Sequence, residues 1–405
     1  MIPNVFLGNE GGMEAGKMII KMREGATQEE IRAVLKQIDE MGFTANISGG
    51  DCKVIGLIGN PQKVDPGLFE RLDSVDKVEQ ITEKYKLVNR KFHPEPRFVP
   101  LNGAMVGEGQ PRIVIAGPCA VEDIDTMLEA GRAVKEAGAH GFRAGAYKPR
   151  TASIDFQGYG LLGLKRLMMV RGETGLPIVT EATGAHHHVV TDPYGRIPAD
   201  IPPEDIAPLF IKGDKRPYFM DPGRYGKQEC FEKEHSIVHV ARDADILQIG
   251  TRNAQAYGLL QTVAELTRNL ENPGKSKPVL LKRGMSSSLQ EFVNCAEYLA
   301  AFGNPNVILC LRGIQPAKDG LRNNPDYDQI PLLRQMTNLP IVFDPSHAYG
   351  KRDLVSYGAE AALGHGADGL LVEAHPNPQK ALTDGQQTVT PKVLETIVKM
   401  AERYH

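Results

Sequence analysis

The sequence has few cysteines, little net charge and no long apolar run. Its five cysteines are an odd number scattered through 405 residues, which is typical of reduced thiols rather than of a disulfide framework. The 47 basic and 50 acidic residues nearly balance, so the formal net charge is only -3. This balance argues against a nucleic-acid or membrane-surface binder, because such proteins usually carry a basic excess.

Membrane and export signals are also missing from the sequence. No apolar run approaches a membrane span, and residues 1–17 lack the charged start and apolar core of a secretory signal. We therefore expect a cytoplasmic protein that has neither a membrane nor a nucleic acid as partner. The hydrophobic content of 41% is ordinary for a globular chain, and the length allows one large domain and a smaller one.

Residues 1–95 are predicted to form a small ferredoxin-like α+β domain. Its clearest element is a helix over residues 27–41, in which apolar side chains recur at helical spacing behind Thr27. The predicted order of strand, helix, strand, strand, helix and strand is that of a ferredoxin-like module. This stretch has no catalytic-looking group of histidine, cysteine and carboxylate. Its residues alone are compatible with two roles: a packing or dimerisation unit, or a ligand-sensing regulatory domain.

The remaining chain predicts a (β/α)8 TIM barrel over residues 111–405, joined to the first domain by a linker over residues 96–110. The linker is rich in proline and glycine and shows no sustained period. Beyond it, short apolar segments alternate with helical patterns, as expected for a closed parallel barrel with buried strands. The predicted strands span residues 112–119, 141–148, 177–182, 244–250, 277–284, 306–313, 340–346 and 369–374.

One interval is too long for a single crossover helix. About sixty residues separate Glu181 from Ala244, and residues from about 184 to 230 are predicted to form an insertion after barrel strand 3. Because the insertion follows a strand, we expect it on the catalytic rim, as a lid or as an oligomer contact. Its three adjacent histidines, at 186–188, could indicate a metal site, but a surface run is favoured, since neighbouring side chains diverge in a strand.

The stretch over residues 141–158 carries a dense group of anion-binding side chains. It sets three cations beside a hydroxyl group: Arg143, Lys148, Arg150 and Thr151. Bidentate arginine contacts and a lysine charge match phosphate and carboxylate oxygens, which indicates a small anionic substrate. A solvated basic turn is the alternative for these residues taken alone.

In the predicted barrel, polar residues collect at the carboxyl ends of the strands, where this fold places its active sites. One group is a mixed soft and hard donor set that suits a divalent transition metal: Cys119, His347, Glu373 and Asp384. The other group is a ring of cations: Arg143, Lys148, Arg150, Arg252, Lys282 and Arg312. So many like charges repel one another unless anions lie among them, so the ring indicates two phosphorylated substrates.

Seven motifs in this part of the chain resemble a known family. GPCAVE, KPRT, QIGTRN, LLKRG, ILCLRG, DPSHAYG and EAHPNP occur in this order on the predicted strands. Together they resemble the type I beta class of 3-deoxy-D-arabino-heptulosonate 7-phosphate (DAHP) synthases, and the first domain resembles the ferredoxin-like domain that some members carry. The resemblance implies condensation of phosphoenolpyruvate with erythrose 4-phosphate and water, with release of phosphate, as the first step of the shikimate pathway to aromatic amino acids.

The resemblance also implies roles for single residues. A divalent metal (Mn, Fe, Zn or Co) is expected at Cys119, His347, Glu373 and Asp384. The phosphate and carboxylate of phosphoenolpyruvate are expected at Arg143, Lys148, Arg252, Lys282 and Arg312. Erythrose 4-phosphate is expected at the KPRT signature: Lys148, Pro149, Arg150 and Thr151. The residues expected to take part in the chemistry are Lys148 as proton donor to the aldehyde, Glu181 as a candidate for activating water, and His347.

Regulation and assembly are implied by the resemblance alone. The first domain is expected to bind an aromatic amino acid that restrains the barrel, and the protein is expected to be a homo-oligomer, a tetramer in related enzymes. A 3-deoxy-D-manno-octulosonate 8-phosphate synthase, which uses arabinose 5-phosphate, is the closest alternative, but its relatives usually carry an asparagine-containing motif in place of residues 148–151. A regulatory homologue without catalysis is disfavoured, because every expected metal ligand and phosphate-site cation is present in the sequence.

Overall fold

The structure is a computed structural model that describes residues 18–48, 53–58, 64–80, 85–101, 103–148, 156–183 and 236–404. It divides into two compact units, Met1–Glu95 with Met336–Asn338, and Pro96–Gln335 with Leu339–His405. The predicted insertion at about 184–230 lies outside the described residues, and so do Pro149, Arg150 and Thr151. None of the helices in the described ranges has the length and apolarity needed to cross a membrane.

The first unit has the predicted ferredoxin-like topology. Its elements are β1 (Met18–Met22), α1 (Gln28–Glu40), β2 (Thr44–Ser48), β3 (Val54–Ile58), α2 (Gly67–Glu70) and β4 (Val75–Gln80). The sheet has the order β2-β3-β1-β4, and every neighbouring pair is antiparallel. Thr27 and Glu30 cap α1 reciprocally, and the buried face of the helix, with Ile31 and Val34, packs on the sheet.

The second unit contains the closed barrel. Eight strands close in chain order, and each neighbouring pair is parallel. They are β7 (Ile113–Gly117), β8 (Gly141–Arg143), β9 (Ile178–Ala182), β10 (Ile246–Ile249), β11 (Val279–Lys282), β12 (Val307–Leu311), β13 (Ile341–Phe343) and β14 (Gly369–Glu373). Every strand residue is buried, which explains why the strands are mostly apolar along their length rather than alternating, with charged residues such as Arg143, Lys282 and Glu373 at their carboxyl ends.

Helices follow the strands around the barrel. They are α3 (Ile124–Glu136), α4 (Gly160–Thr174), α5 (Ser236–Asp243), α6 (Tyr257–Thr267), α7 (Leu289–Ala301), α8 (Ile330–Met336), α9 (Pro345–Tyr349), α10 (Arg352–Gly364) and α11 (Pro391–Ala401). Short 3-10 turns span Thr251–Asn253, Pro273–Lys275 and Tyr327–Gln329. The predicted fold class, a (β/α)8 barrel with a small ferredoxin-like domain, is therefore confirmed.

Two segments differ in detail from the sequence prediction. The stretch predicted as a linker, residues 96–110, contains an antiparallel hairpin of β5 (Val99–Leu101) and β6 (Ala104–Val106). Its Val99, Leu101 and Val106 belong to the same apolar cluster as barrel-strand residues such as Ile115. Short strands broken by proline and glycine gave no period long enough to be recognised, although burying these apolar side chains stabilises the hairpin.

The second barrel strand is shorter than its apolar sequence suggested. β8 ends at Arg143, whereas the prediction extended it to Lys148. Beyond Arg143 the chain leaves the ladder, and Gly145 forms an isolated bridge with Ala120. Lys148 therefore lies in the turn beyond the strand end, where its side chain reaches back over the rim.

Candidate active site and metal centre

Three of the four predicted metal ligands converge on the carboxyl rim of the barrel. One ligand atom from each of Cys119, His347 and Glu373 lies within 4.8 Å of the others. The fourth predicted ligand, Asp384, approaches the group at its edge, with its Oδ2 2.9 Å from the Cys119 Sγ. The four residues come from the turn after β7, from α9, from the end of β14 and from the loop after β14.

The helix that carries His347 is set by a local capping pattern. Asp344 is the N-cap of α9, and its Oδ1 accepts a hydrogen bond of 2.9 Å from the backbone N–H of His347. Pro345 occupies the first helical position, and Gly350 ends the helix with a left-handed φ of 70°. The other Asp344 oxygen lies 2.7 Å from His347 Nδ1. This contact fixes the ring so that Nε2 faces the other ligands.

Asp344 also links the histidine to the cation ring. Its Oδ2 accepts a hydrogen bond from Lys282 Nζ, and both side chains are almost fully buried. Burial alone would raise the pKa of Asp344, but its contacts with His347 and Lys282 hold it well below its usual range. Burial lowers the pKa of His347 to about 4, although Asp344 opposes the shift. The imidazole is therefore neutral near pH 7 and can offer a lone pair to a metal.

Glu373 is enclosed by donors at the end of β14. Its Oε1 accepts a hydrogen bond of 3.1 Å from Arg143 Nη1 and lies 3.5 Å from His347 Nε2, and its Oε2 accepts one of 2.6 Å from Gln387 Nε2. Burial would raise the pKa of Glu373, but His347 and Arg143 reverse the shift and lower it. The group is thus an ionised carboxylate despite its burial.

Cys119 lies in a turn made possible by a glycine. A side chain at Gly117 would come within 2.2 Å of the Arg143 carbonyl oxygen, so the ends of β7 and β8 approach closely only with glycine there. The Sγ of Cys119 lies 3.0 Å from Lys148 Nζ. Burial raises the pKa of the thiol to about 11, with Glu373 adding to the shift and Lys148 opposing it.

These residues fit a divalent transition metal. A thiol, an imidazole and two carboxylates form a mixed donor set in which the sulfur and nitrogen select transition metals over Mg²⁺ and Ca²⁺. The Sγ of Cys119 and the carboxylate of Asp384 are already 2.9 Å apart, and the imidazole is neutral. Only the Cys119 thiol has to lose a proton to complete the set.

A pocket rich in cationic side chains adjoins the metal ligands. His347 and Asp384 line it together with Glu181, Gln248 and other residues of the rim. Six cationic side chains share this lining: Arg143, Lys148, Arg252, Lys282, Arg312 and Arg322. The structure thus brings together five of the predicted substrate-binding cations, and Arg322 is an additional one.

Two of these cations carry unsatisfied donors in the described part of the chain. The Nε atoms of Arg143 and Arg312 are buried and have no hydrogen-bond partner among the described residues. Burial lowers the pKa of the Arg312 guanidinium, and nearby carboxylates such as Asp344 oppose the shift. Buried donors without partners are costly, so the arrangement fits an anion that would satisfy them.

Glu181 faces the same pocket from β9. Its Oε2 lies 3.4 Å from Gln248 Nε2, and its carboxyl group packs against the backbone of Gly250, where a side chain would come within 1.9 Å of Oε1. Burial raises the pKa of Glu181, although Lys148 and Lys282 oppose the shift. A carboxyl group with a raised pKa, in a pocket, is a candidate for proton transfer.

Sequence reasoning did not find Asp344, Arg322 or Gln387. A signal for Asp344 was present, because an Asp-Pro pair before a short helix is typical of an N-cap followed by a first-turn proline. Arg322 and Gln387 lie in loops after β12 and β14, and nothing in their local sequence marks them. Pro149, Arg150 and Thr151, predicted to bind the sugar phosphate, lie outside the described residues.

Comparison with known proteins covers both units. Residues 80–195 and 230–405 match the DAHP synthetase I family, and residues 18–83 match the DAHP synthase ferredoxin-like domain. The chain is 36% identical, over 94% of its length and 96% of the relative, to a phospho-2-dehydro-3-deoxyheptonate aldolase of Thermotoga maritima. It is 30% identical, over 68% of its length and 85% of the relative, to a 2-dehydro-3-deoxyphosphooctonate aldolase of Nitratidesulfovibrio vulgaris.

The similar solved structures are also DAHP synthases. The crystal structure of the Thermotoga maritima phospho-2-dehydro-3-deoxyheptonate aldolase (DAHP synthase) superposes with a TM-score of 0.63 at 36% identity, covering 95% of this chain and 96% of that one. A truncated form of 3-deoxy-D-arabino-heptulosonate 7-phosphate synthase from the same organism has a TM-score of 0.58 at 34% identity, covering 78% and 94%. The chain therefore belongs to the DAHP synthetase I family.

Proposed function

We propose that this protein condenses phosphoenolpyruvate with erythrose 4-phosphate and water to give 3-deoxy-D-arabino-heptulosonate 7-phosphate and phosphate. This is the first step of the shikimate pathway. The observation that carries the proposal is the pocket lined by six cations directly beside the cluster of Cys119, His347 and Glu373. This condensation requires an anion-binding pocket next to a centre that can activate a carbonyl group.

The cations have distinct surroundings that suggest their roles. Arg143, Lys282 and Arg312 are almost fully buried, so they are assigned to the phosphate and carboxylate of phosphoenolpyruvate, deep in the pocket. Arg252 is exposed and lines the same pocket, so it is assigned to the outer part of the same substrate. These buried cations attract the oxygens strongly, because little water screens the charge there, and the two planar guanidinium groups also fix the orientation of the oxygens.

Lys148 and Glu181 are assigned the proton transfers. Lys148 Nζ lies 3.0 Å from Cys119 Sγ, and Lys148 also lines the cation-rich pocket. It is therefore close to both the metal ligands and the bound anions, and it can protonate the aldehyde oxygen as the new bond forms. Glu181 lines the same pocket from β9 and can accept a proton from the water that adds to the former enol carbon. Collapse of that adduct releases phosphate.

A bound metal would supply polarisation of the aldehyde carbonyl. Cys119, His347, Glu373 and Asp384 would hold it, and we propose Mn, Fe, Zn or Co as its identity because of the mixed sulfur, nitrogen and oxygen donors. Asp344 keeps the His347 ring turned towards the centre, and Arg143 holds Glu373.

Phosphate release from phosphoenolpyruvate by the purified protein tests this function. Erythrose 4-phosphate and arabinose 5-phosphate are compared as partners, before and after chelation and after addition of Mn²⁺. We expect turnover with the four-carbon sugar, lost on chelation and restored by the metal. Turnover with arabinose 5-phosphate alone would move the protein to the octulosonate reaction, and failure with both sugars in the presence of metal would contradict the proposal.

We further propose that the first unit binds an aromatic amino acid that restrains the barrel, and that the protein is a homotetramer. The match of residues 18–83 to the ferredoxin-like domain supports the regulatory role. Removal of residues 1–95 should abolish inhibition by tyrosine or phenylalanine and spare the reaction. Inhibition that persists in the truncated protein would contradict the role. Light scattering of the full chain checks the mass.

A further inference from the structure

Arg322 lies in the loop after β12 and faces two residues of another loop. Its Nη1 donates hydrogen bonds to Asp384 Oδ1, at 3.0 Å, and to Gln387 Oε1, at 2.6 Å. Asp384 is one of the proposed metal ligands. A single guanidinium nitrogen carries two hydrogens, so one atom can make both bonds at once.

Gln387 passes the contact on to a second proposed ligand. Its Nε2 donates a hydrogen bond of 2.6 Å to Glu373 Oε2, and its side chain is fully buried. The orientation of the amide follows from its partners, because Arg322 can only donate and an ionised Glu373 can only accept. Arg322 is therefore connected to Glu373 through the Gln387 side chain, whose amide oxygen accepts from Arg322 and whose amide nitrogen donates to Glu373.

The backbone of the same loop holds the helix of a third proposed ligand. The Arg322 N–H donates to the Tyr349 carbonyl oxygen at 3.0 Å, at the end of α9. The next residue, Asn323, donates from its N–H to the Ala348 oxygen at 3.2 Å and from its Nδ2 to the His347 oxygen at 2.7 Å. The segment thus lies against the whole last turn of the helix that carries His347.

Asp384 has a backbone conformation that needs support. Its φ of 56° is the only positive value of a non-glycine residue in the described part of the chain. Thr388 Oγ1 donates to its carbonyl oxygen at 2.9 Å, and Arg352 holds the carbonyl oxygens of Gly385 and Thr388. Unfavoured conformations persist only where the surroundings fix them, and they are frequent at functional sites.

We propose that Arg322 is a positioning residue that joins three of the proposed metal ligands into one preorganised set. Its side chain holds Asp384 directly and Glu373 through Gln387, and its backbone abuts the helix of His347. The inference rests on the proposed metal site. Arg322 acts before any substrate is present, because all of these contacts are within the protein. Loss of its side chain frees the Asp384 carboxylate and breaks the link between the loop and β14.

A different role for Arg322 makes a different prediction. Its side chain is about one-third exposed and lines the cation pocket, so it could instead bind a substrate anion. In that case its removal raises KM for a phosphorylated substrate and leaves the affinity for a metal unchanged. A positioning residue weakens metal binding in the absence of any substrate.

Titration of the metal-free full-length protein with Co²⁺ alone separates the two roles. The dissociation constant is measured by competition with a chelator, and the thiolate-to-cobalt absorption of Cys119 reports the ligand geometry. We expect Arg322→Met and Gln387→Met to weaken Co²⁺ binding by about 10- to 100-fold, the usual effect of losing a partner of a metal ligand. Arg322→Lys keeps the charge but not the two-bond geometry, so it should restore only part of the affinity.

The control is Arg132→Met, which removes an exposed arginine that pairs with Glu173 across α3 and α4. It should leave Co²⁺ binding and the absorption unchanged. Combining Arg322→Met with Gln387→Met should weaken binding less than the product of the single effects, since both act on one chain of contacts. Far-ultraviolet circular dichroism checks folding, and if Arg322→Met does not fold, Gln387→Met carries the test of the Glu373 branch.

The outcomes distinguish this inference from the proposed site. If wild type binds Co²⁺ with the thiolate absorption and Cys119→Ser abolishes it, the metal site stands. Unchanged affinity and absorption in folded Arg322→Met and Gln387→Met would then overturn the positioning role alone. Wild-type protein without Co²⁺ binding at Cys119 would overturn both.

Discussion

Gly250→Ala should disable the pocket through a single side chain, that of Glu181. A methyl group at Gly250 would lie 1.9 Å from Glu181 Oε1 and 2.6 Å from its Cδ. Non-bonded carbon and oxygen atoms need roughly 3.5 Å, so the carboxyl group has to retreat by about 1.5 Å. The backbone itself tolerates alanine, because Gly250 has a φ of -70°. The perturbation therefore acts on Glu181 and not on the turn.

The size of the effect follows from this displacement. Misplacing a catalytic group by about 1 Å can cost roughly 100-fold in rate, so we expect kcat to fall by about that factor. Overpacking a buried site costs about 1 to 3 kcal/mol, which a barrel of this size should survive.

The assay is phosphate release from phosphoenolpyruvate with erythrose 4-phosphate under saturating metal. Gly258→Ala is the matched control, since a methyl group there would meet nothing within 4 Å on α6, and it should leave kcat unchanged. In a Glu181→Ala background, Gly250→Ala should have no further effect on kcat, because the group on which it acts is gone. Circular dichroism and thermal unfolding confirm that each variant is folded.

Two results would refute this reasoning. A folded Gly250→Ala enzyme with wild-type kcat would show that the Glu181 carboxyl group moves without consequence. Equal losses from Gly250→Ala in the wild-type and Glu181→Ala backgrounds would show that the methyl group acts elsewhere, such as on the neighbouring Arg252. The first result would remove Glu181 from the proposed proton transfers, and the second would remove the link between Gly250 and Glu181.

Three further predictions concern the metal, the anion seat and the fold. Burial raises the pKa of Cys119 to about 11 and lowers that of His347 to about 4. At a pH between these two values, only the thiol has to release a proton when the metal binds. Apparent Co²⁺ affinity should then rise about tenfold per pH unit from roughly pH 6 to 9, and a flat profile in titrations would contradict it. Arg312→Lys keeps the buried charge but loses the planar fork, so KM for phosphoenolpyruvate should rise roughly tenfold or more in steady-state assays, with unchanged KM as the contrary result. Ser288→Ala removes the capping box of α7 and should lower stability to denaturant by about 1 kcal/mol without changing KM; unchanged stability would contradict the role of the cap.

The fold was predictable because its strands carry their own signal. Segments such as 113–117 and 307–311 are apolar throughout, and a strand buried on both faces occurs almost only in parallel sheets covered by helices. The rule that the barrel's active site lies at the carboxyl ends of strands then gathered Cys119, Lys282 and Glu373 from distant parts of the sequence. The hairpin at 99–106 was missed, because three-residue strands have no measurable period.

The contacts that join the site's parts were beyond sequence reasoning. Arg322 and Asp384 are 62 positions apart, in loops that follow different strands. Neither loop length nor composition gives the direction in which such a side chain points, since that depends on how both loops pack on the rim. Asp344 was the exception in principle, because its effect on His347 operates within one turn of a helix and is therefore encoded locally.

The anion seat and the metal ligands form one electrostatic unit rather than two neighbouring groups. Arg143 donates to Glu373, Lys148 contacts Cys119, and Lys282 shares the Asp344 carboxylate with His347. Each cation offsets part of the cost of burying the acidic or thiol group that it meets, and each also lines the pocket. A substitution at any of these cations therefore changes the ligand that it holds as well as the seat that it forms. An assay of substrate affinity alone would attribute the change in the metal ligand and the change in the pocket to substrate binding. Metal affinity therefore has to be measured in the same variants.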